Sequence, residues 1–347
     1  SLVYYKQQIG GEIDYTIPDD GKEYMLQTVM RKSTGDGSAP EIHDLSEDIF
    51  WKVDDIQERI SDYETIKILA IGNSYSRDAF MYFPFVLESM IPGVRISFGI
   101  MYKGGCTLEE HYDYILNGTD YPAFDYYRTG DGWTSVSNKN IDYGLAAENW
   151  DIILLQQRSY KSNDYATYQP YLNDIITLLQ GKVDYNFRLG WFLTPALNDG
   201  CPEMEEATSD EMFENILVAV QRLMDETAVE FCIPCGTAIQ NARTTPLKNL
   251  GDTGGLMYDN LHLQEGIPCL IEAYVAAIVI ANLMGKPISV FGNQIRPTDA
   301  WITAHNIIQR HGSSVGVTDE NCYIAQKCAA IAVKKPYEIT DLTALGI

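Results

Sequence analysis

The stretch IKILAIGNSYSRDAF, residues 66–80, decides the fold class. It begins with the apolar run IKILAIG, which has the length and the branched side chains of a buried β-strand. The small polar residues Asn73 and Ser74 follow the closing glycine, and an apolar pattern with helical spacing begins at Asp78. A strand that turns directly into a helix is the first unit of an alternating α/β chain.

The composition limits the classes of protein to which the chain can belong. Its 347 residues are enough for one large α/β domain with an accessory segment, or for two domains. It carries 25 Lys and Arg against 48 Asp and Glu, a net charge of −23, and we find no local basic patch. We therefore expect neither a nucleic acid nor an anionic membrane as a partner, because both would be repelled.

The cysteines and histidines indicate neither a disulfide framework nor a metal site. The seven cysteines have no regular spacing, and Cys232 and Cys235 lie at the end of an apolar run, which favours a strand edge over a redox motif. The five histidines form no HExxH or paired motif. We predict no metal and no cofactor; the alternative is a metal-dependent hydrolase that uses His43, His111 or His305.

The N-terminal residues and an apolar run near the C-terminus give expectations about cellular location and membrane insertion. The chain starts at Ser1 without the charged and apolar regions of a signal peptide, so either none existed or one was removed. Removal would favour a secreted or periplasmic location. The longest uncharged apolar run near the C-terminus, residues 273–284, is too short to span a bilayer and is typical of a buried helix. We expect no membrane insertion.

From residue 66 onward, apolar runs alternate with longer helical patterns, which predicts a parallel sheet covered by helices on both faces. The five candidate strands are 66–72, 94–100, 151–157, 187–195 and 229–236, and the candidate helices are 78–91, 107–117, 164–180, 203–226 and 265–284. We predict an α/β domain over residues 66–347, a three-layer α/β/α sandwich with a five-stranded parallel sheet. Right-handed crossovers bring the C-terminal ends of such strands to one edge, where ligands bind.

Two segments stand outside this alternation. Residues 119–149 are longer than a normal loop and carry a Gly-Asp-Gly turn between aromatic-rich flanks, which indicates a hairpin. We interpret it as a hairpin insertion that overhangs the site; packing on the body of the domain is an equally supported alternative. Residues 1–65 lack the alternation and are predicted to form an N-terminal extension packed on the main domain. Within it, residues 46–63 have the spacing of an amphipathic helix.

Three residues are candidates for a nucleophile, its base and the group that orients the base. Ser74 lies at the mouth of a helix, where backbone N–H groups and the helix dipole favour negative charge. The stretch LMYDNLHLQEG, residues 256–266, places Asp259 three residues before His262 in a polar loop. Asp259 can accept the Nδ1 proton of the histidine and leave Nε2 to deprotonate the serine. The alternative is that Ser74 caps a helix and that the other two residues close a turn.

These motifs resemble the blocks of the SGNH, or GDSL, hydrolase superfamily. GNSYS resembles the opening Gly-Asp-Ser-Leu block, and DNLH resembles the closing Asp-x-x-His block. Five stretches in this order are similar to the Bacteroidetes-type DUF4886 branch, and they are ILAIGNSYSRDA, GGCTLEEH, WDIILLQQRS, PCGTAIQNAR and DNLHLQEG. The resemblance covers about residues 66–340. It implies an SGNH or flavodoxin-like fold.

The resemblance also implies the activity and the roles of the residues. It implies an acyl-ester hydrolase in which Ser74 is the nucleophile, His262 the base and Asp259 the residue that orients the base. The block KGGCTL would supply Gly105, whose backbone N–H would point at the developing oxyanion together with that of Ser74. The arrangement is not that of an α/β-hydrolase, because Ser76 stands where a G-x-S-x-G elbow has glycine.

The sequence departs from the superfamily pattern in two blocks. Asn73 replaces the aspartate of the first block, at a position that shapes the turn. The Gly-x-Asn-Asp block is absent, and LLQQRS stands in its place, so the oxyanion-hole asparagine has no counterpart by residue type. Some carbohydrate acetylesterases of the superfamily carry glutamine here, which implies a donor at Gln156 or Gln157. Alternation along the strand lets one of them face the site, and we predict Gln157; the alternative is that both bond neighbouring loops.

The substrate is indicated only by aromatic side chains and by charge. Four aromatic residues at strand ends or in the hairpin can stack on sugars or pack in the core, and they are Trp133, Tyr127, Tyr160 and Trp191. The predicted substrate-binding residues are Asn73, Gln156, Tyr160 and Trp133. We predict a serine esterase that removes a small acyl group, first of all acetyl, from a carbohydrate by a Ser-His-Asp mechanism, and its expected partner is a small-molecule or oligosaccharide ester. The alternative is a non-catalytic glycan-binding protein on the same fold.

Overall fold

The computed structural model describes residues 65–308 and 311–343, and two short strands at residues 29–31 and 42–44. The chain divides into two units, residues 1–52 and 53–347. In the first unit, β1 (Val29–Arg31) and β2 (Ile42–Asp44) pair antiparallel. The helix predicted at 46–63 lies outside the described residues. The packing of residues 1–65 on the main domain stays a prediction.

The second unit is built on a seven-stranded sheet. Its strands are β3 (Thr65–Gly72), β4 (Arg95–Tyr102), β5 (Tyr121–Arg128), β6 (Gly132–Lys139), β7 (Ile152–Leu155), β8 (Arg188–Phe192) and β9 (Phe231–Ile233). The strand order is β6-β5-β4-β3-β7-β8-β9, and β3, β4, β7, β8 and β9 pair in parallel. The five predicted parallel strands are confirmed. The first of them lies in the middle, with Ile68 between Phe98 of β4 and Ile152 of β7.

The prediction that the sheet has five strands is wrong, because the segment 119–149 adds two more. β5 pairs antiparallel with β4, and β6 pairs antiparallel with β5, so the hairpin extends one edge of the sheet. Pairing with β4 satisfies backbone groups that an edge strand would leave exposed. The hairpin is therefore part of the sheet and does not overhang the site.

Helices cover both faces of the sheet. They are α1 (Ser74–Phe80), α2 (Phe83–Met90), α3 (Leu108–Asn117), α4 (Ile141–Ala146), α5 (Tyr171–Lys182), α6 (Ser209–Glu226), α7 (Cys235–Arg243), α8 (Ile267–Leu283), α9 (Asp299–Ala304) and α10 (Asp319–Lys334). Along β3, Ile66 and Ile68 pack in one apolar core with α1, α2, α7, α8 and α10, whereas Leu69 and Ile71 pack in another with α3, α5 and α6. The alternating faces of one strand thus separate three layers, α/β/α.

Two helical predictions are refined by the structure. The helix predicted at 78–91 is two helices, because Pro84, in the first turn of α2, has no N–H with which to continue α1. The apolar run 273–284 lies within α8 and its C-terminal cap, and nearly all residues of α8 are buried. Among the described residues, no helix combines the length and the apolar character needed to cross a membrane.

Candidate active site

The turn between β3 and α1 holds Ser74 as the first helical residue. Asn73 is the N-cap, and its side chain accepts a hydrogen bond from the N–H of Tyr75 at 3.1 Å. The Nδ2 of Asn73 donates to the carbonyl of Cys106 at 3.1 Å. The residue that replaces the motif aspartate therefore shapes the serine turn and ties it to the loop after β4.

His262 joins Ser74 and Asp259 in one series of hydrogen bonds. Its Nε2 lies 3.0 Å from the Ser74 Oγ, and its Nδ1 lies 2.9 Å from the Asp259 Oδ2. The other carboxylate oxygen of Asp259 accepts from the backbone N–H groups of His262 at 2.7 Å and Leu261 at 3.1 Å. The hydroxyl of Tyr75 donates to the carbonyl of Leu261 at 2.6 Å, which anchors this loop on α1. The structure thus brings together the three residues that the sequence selects.

The charge of Asp259 sets the tautomer of its neighbour. Burial raises the pKa of Asp259, but hydrogen bonds from the backbone and ring of His262, the charge of that ring and the N–H of Leu261 outweigh burial and hold the pKa below its ordinary value. The carboxylate is therefore ionised at neutral pH. When His262 is neutral, its proton is placed on Nδ1 and its Nε2 accepts from the Ser74 hydroxyl.

A second histidine stacks on the first. The ring of His311 lies 4.2 Å from that of His262, centroid to centroid, at an interplanar angle of 16°. The Nε2 of His311 lies 3.4 Å from the Asp78 Oδ1. Burial lowers the pKa of His311, but the hydrogen bond with Asp78 and the charges of Asp78, Asp259 and Glu265 outweigh burial and raise it above its ordinary value. Sequence reasoning missed this residue, because no motif links it to the DNLH loop.

A pocket of about 350 Å³ opens beside Ser74 and His262. The loops after β3, β4 and β7 line it with Ser74, Gly105 and Arg158, together with Tyr160. These loops all follow the C-terminal ends of parallel strands, so the pocket lies at the edge of the sheet where ligands bind in this architecture.

Gly105 presents bare backbone to the pocket. Its φ is +61°, a conformation that favours glycine, and a Cβ at this position would lie 3.3 Å from the Cζ of Arg158. Its N–H makes no hydrogen bond with any residue in the described part of the chain. The loop is held at its end by a capping box, in which Thr107 and Glu110 exchange hydrogen bonds at the start of α3.

The prediction that Gln157 faces the site is corrected. Its Nε2 donates to the carbonyl and the hydroxyl of Thr167, both at 3.1 Å, and its Oε1 accepts from the N–H groups of Leu108 and Arg158. It is Gln156 that bonds to the serine turn: its Nε2 donates to the Asn73 Oδ1 at 2.8 Å, and its Oε1 accepts from the hydroxyl of Ser76. Because β7 ends at Leu155, strand alternation does not reach either glutamine.

Both glutamines therefore bond neighbouring loops, and neither lines the pocket. This matches the structural alternative considered for them. Gln156 contributes to the site by holding Asn73, and it does not itself face the space beside Ser74.

Of the four aromatic residues considered for sugar stacking, Tyr160 lines the pocket. The prediction that Trp133 binds substrate is wrong, because its side chain is buried in the core and donates its Nε1–H to the carbonyl of Met81 at 3.0 Å. Tyr127 and Trp191 are also buried, one on each face of the sheet. Hairpin and strand aromatics here serve packing.

The other histidines considered as metal ligands belong to different elements. His111 is buried with its ring against Tyr121, and His305 stacks on Trp301, while His43 belongs to β2 of the first unit. Within residues 65–308 and 311–343, no group of three or more His, Cys, Asp or Glu side chains is arranged to hold a metal ion. The seven cysteines are all free thiols.

Comparison with known proteins adds family information. A family model described as a domain of unknown function, DUF4886, matches residues 67–310. The crystal structure of a DUF4886 family protein from Bacteroides uniformis ATCC 8492 is similar, with 27% identity, a TM-score of 0.66, and coverage of 81% of this chain and 99% of that chain. No curated protein sequence matches this chain.

Two further solved structures align less well. One is a protein from Slackia heliotrinireducens described as a candidate SGNH hydrolase, with 17% identity, a TM-score of 0.41, and coverage of 64% of this chain and 100% of that chain. The other is a gut microbial diltiazem-metabolizing enzyme, with 12% identity, a TM-score of 0.36, and coverage of 64% of this chain and 47% of that chain.

Proposed function

The chain belongs to the DUF4886 family, and we propose that it is a serine esterase that removes a small acyl group, first of all acetyl, from a carbohydrate. The observation that carries this proposal is the hydrogen-bonded series from Ser74 through His262 to Asp259 at the wall of a pocket. A serine hydroxyl is a weak nucleophile until a base accepts its proton, and this series provides the base and the group that orients it.

The reaction follows from these positions. The Ser74 Oγ attacks the acyl carbonyl while the His262 Nε2 takes the hydroxyl proton, and the carboxylate of Asp259 stabilises the resulting imidazolium. The imidazolium then gives its proton to the leaving sugar oxygen, which leaves the acyl group on Ser74. A water molecule, deprotonated by the same Nε2, attacks the acyl-enzyme and releases the acid.

The carbonyl oxygen gains negative charge in both attacks and needs donors. We assign the backbone N–H groups of Ser74 and Gly105 to this role, as the resemblance to SGNH hydrolases implies. The unbonded N–H of Gly105 and its open backbone at the pocket wall support the assignment. Such donors stabilise the transition state more than the ground state, which is the source of their effect on rate.

The substrate class rests on the size and the surroundings of the pocket. A volume of about 350 Å³ is near the lower end for small-molecule sites, which supports a short acyl group. Tyr160 offers an aromatic surface for a sugar. The net charge of −23 supports a neutral glycan ester over an anionic one.

A substrate panel tests the proposal directly. We expect the protein to hydrolyse p-nitrophenyl acetate faster than the butyrate and octanoate esters, and to release acetate from acetylated xylo-oligosaccharides. Ser74→Ala should lose this activity and its labelling by a fluorophosphonate, whereas the matched control Ser137→Ala, at an exposed position of β6, should retain both. A folded protein that turns over no ester would refute the proposal.

A glycan-binding protein without catalysis is the second candidate. It is favoured by one observation, namely that neither glutamine of LLQQRS donates into the pocket. This candidate predicts that calorimetric binding of xylo-oligosaccharides survives Ser74→Ala and that the wild-type serine does not react with a fluorophosphonate.

A further inference from the structure

The pocket contains the guanidinium of Arg158, which has no anionic partner among the residues that the structure describes. Arg158 follows the two glutamines after β7 and lines the pocket with Ser74, Gly105 and His262. Its guanidinium makes no hydrogen bond or ion pair with any residue that the structure describes. Its Cζ lies 4.0 Å from the centre of the Tyr160 ring, over the ring face, which is a cation–π contact. A half-buried cation in this state is available to a ligand.

The guanidinium lies against the backbone of the loop after β4. A Cβ added to Gly105 would lie 3.3 Å from both the Cζ and the Nη2 of Arg158. The arginine side chain therefore fills space that opens because this residue is glycine. The guanidinium and the backbone of Gly105 therefore meet at the same part of the pocket wall.

Other side chains at the end of β7 are already used. The amides of Gln156 and Gln157 bond the serine turn and Thr167, so neither is available to the pocket. The position of the superfamily asparagine therefore has no amide donor. Arg158 is the next residue in the chain, and it reaches the same pocket from the same strand end.

We propose that Arg158 is the side-chain donor of the oxyanion hole. As the Ser74 Oγ forms its bond to the acyl carbon, the carbonyl π electrons move to the oxygen, and the proton of the serine passes to the His262 Nε2. The guanidinium of Arg158 and the N–H of Gly105 donate hydrogen bonds to that oxygen. A charged donor binds it more strongly than a neutral amide would. This inference rests on the proposed esterase function.

The guanidinium could instead bind a permanent anion of the substrate, and the experiment separates the two roles. Two substrates are compared, the neutral p-nitrophenyl acetate and the carboxylate-bearing 4-acetoxybenzoate. For Arg158→Gln we expect kcat to fall roughly a hundred- to thousandfold on both, with little change in KM, because one oxyanion donor is worth this much. Arg158→Lys should recover part of the loss, since it keeps the charge but not the planar fork.

The labelling rate provides a readout that does not depend on turnover. A fluorophosphonate places its phosphoryl oxygen where the oxyanion forms, so Arg158→Gln should slow the phosphonylation of Ser74 in proportion to kcat. The matched control is Arg222→Gln on the exposed face of α6, where the arginine pairs with Glu226 and lies over the ring of Tyr165. It should change neither rate.

The outcomes are distinguishable. If Arg158→Gln keeps kcat on the neutral ester and raises KM only for 4-acetoxybenzoate, the arginine binds a substrate anion and the inference is overturned. If the wild type hydrolyses esters and Arg158→Gln matches it on both substrates, this inference fails while the esterase function stands. If the wild type neither hydrolyses an ester nor reacts with the fluorophosphonate at Ser74, the proposed esterase function is wrong, and the inference that rests on it is wrong as well.

Discussion

The DNLH loop and the LLQQR segment both contribute to the same edge of the sheet, yet they are built differently. In the DNLH loop, Asp259 bonds the N–H groups two and three residues ahead and the ring of His262, so the geometry of the Asp–His pair is set by contacts within four residues. In the LLQQR segment, neighbouring side chains go to three places: Gln156 to the serine turn, Gln157 to Thr167, and Arg158 to the pocket.

This difference shows when a short motif is informative. A motif whose hydrogen bonds close within itself brings its geometry with it wherever it occurs. A segment that follows the end of a strand has no regular alternation, and the direction of each side chain depends on partners that are distant in the sequence. The DNLH loop could therefore be interpreted by itself, whereas the LLQQR segment could not.

The largest effect should come from changing the charge in the DNLH loop while keeping its shape. Asp259→Asn leaves an oxygen that can accept the N–H groups of Leu261 and His262. It removes the negative charge that places the imidazole proton on Nδ1. We expect kcat for p-nitrophenyl acetate to fall on the order of 10⁴-fold with an unchanged melting temperature. A variant that keeps wild-type kcat would show that the loop has only a structural role.

The second-largest effect should come from removing either glutamine of the LLQQR segment, and it should appear mainly in the free energy of unfolding. Gln156→Ala and Gln157→Ala each leave buried hydrogen-bonding groups without partners, which costs about 1–3 kcal/mol of unfolding free energy. We expect urea denaturation to register this loss in both variants. The loss of kcat should be smaller than for Arg158→Gln, since neither amide lines the pocket. A large loss of kcat in Gln157→Ala with unchanged stability would restore the role first predicted for that residue.

The smallest effect should come from changing His311, which lies outside both segments. The raised pKa of His311 keeps it protonated to higher pH than an ordinary histidine, and its positive charge then lies beside the stacked ring of the catalytic base. His311→Phe keeps an aromatic ring but removes this charge. We expect the acid limb of the kcat/KM profile for p-nitrophenyl acetate to move upward, with little change in the plateau.

In the His311→Phe variant, no positive charge offsets the carboxylate of Asp78, which lies next to residue 311. This negative charge also moves the acid limb of the profile upward. His305→Phe, which changes a histidine that stacks on Trp301, is the matched control and should leave the profile unchanged. An acid limb that moves downward, or does not move at all, would show that His311 carries no charge in the range where the enzyme works.

Local chemistry was enough to predict a large part of this molecule. The five apolar runs were recognised as parallel strands because branched residues in short uninterrupted runs favour buried strands wherever they occur. Asp259 and His262 were recognised because their mutual hydrogen bonds lie within one short turn, and Ser74 because it follows the closing glycine of a strand at the start of a helix. The parallel architecture then required the ends of these strands to meet at one edge.

Long-range contacts decided the rest. The hairpin of residues 119–149 could be foreseen as a hairpin, but its place beside β4 depends on which sheet edge offers unpaired backbone groups. The sequence leaves open whether Trp133 contacts a sugar or packs in the core, and only the folded sheet shows that it packs in the core. Gln156 bonds Asn73, Gln157 accepts from Leu108, and Arg158 lies against Gly105, and each of these pairs is far apart in the chain, as are the stacked His262 and His311. No local pattern encodes such pairs, because they exist only once the sheet has brought its loops together.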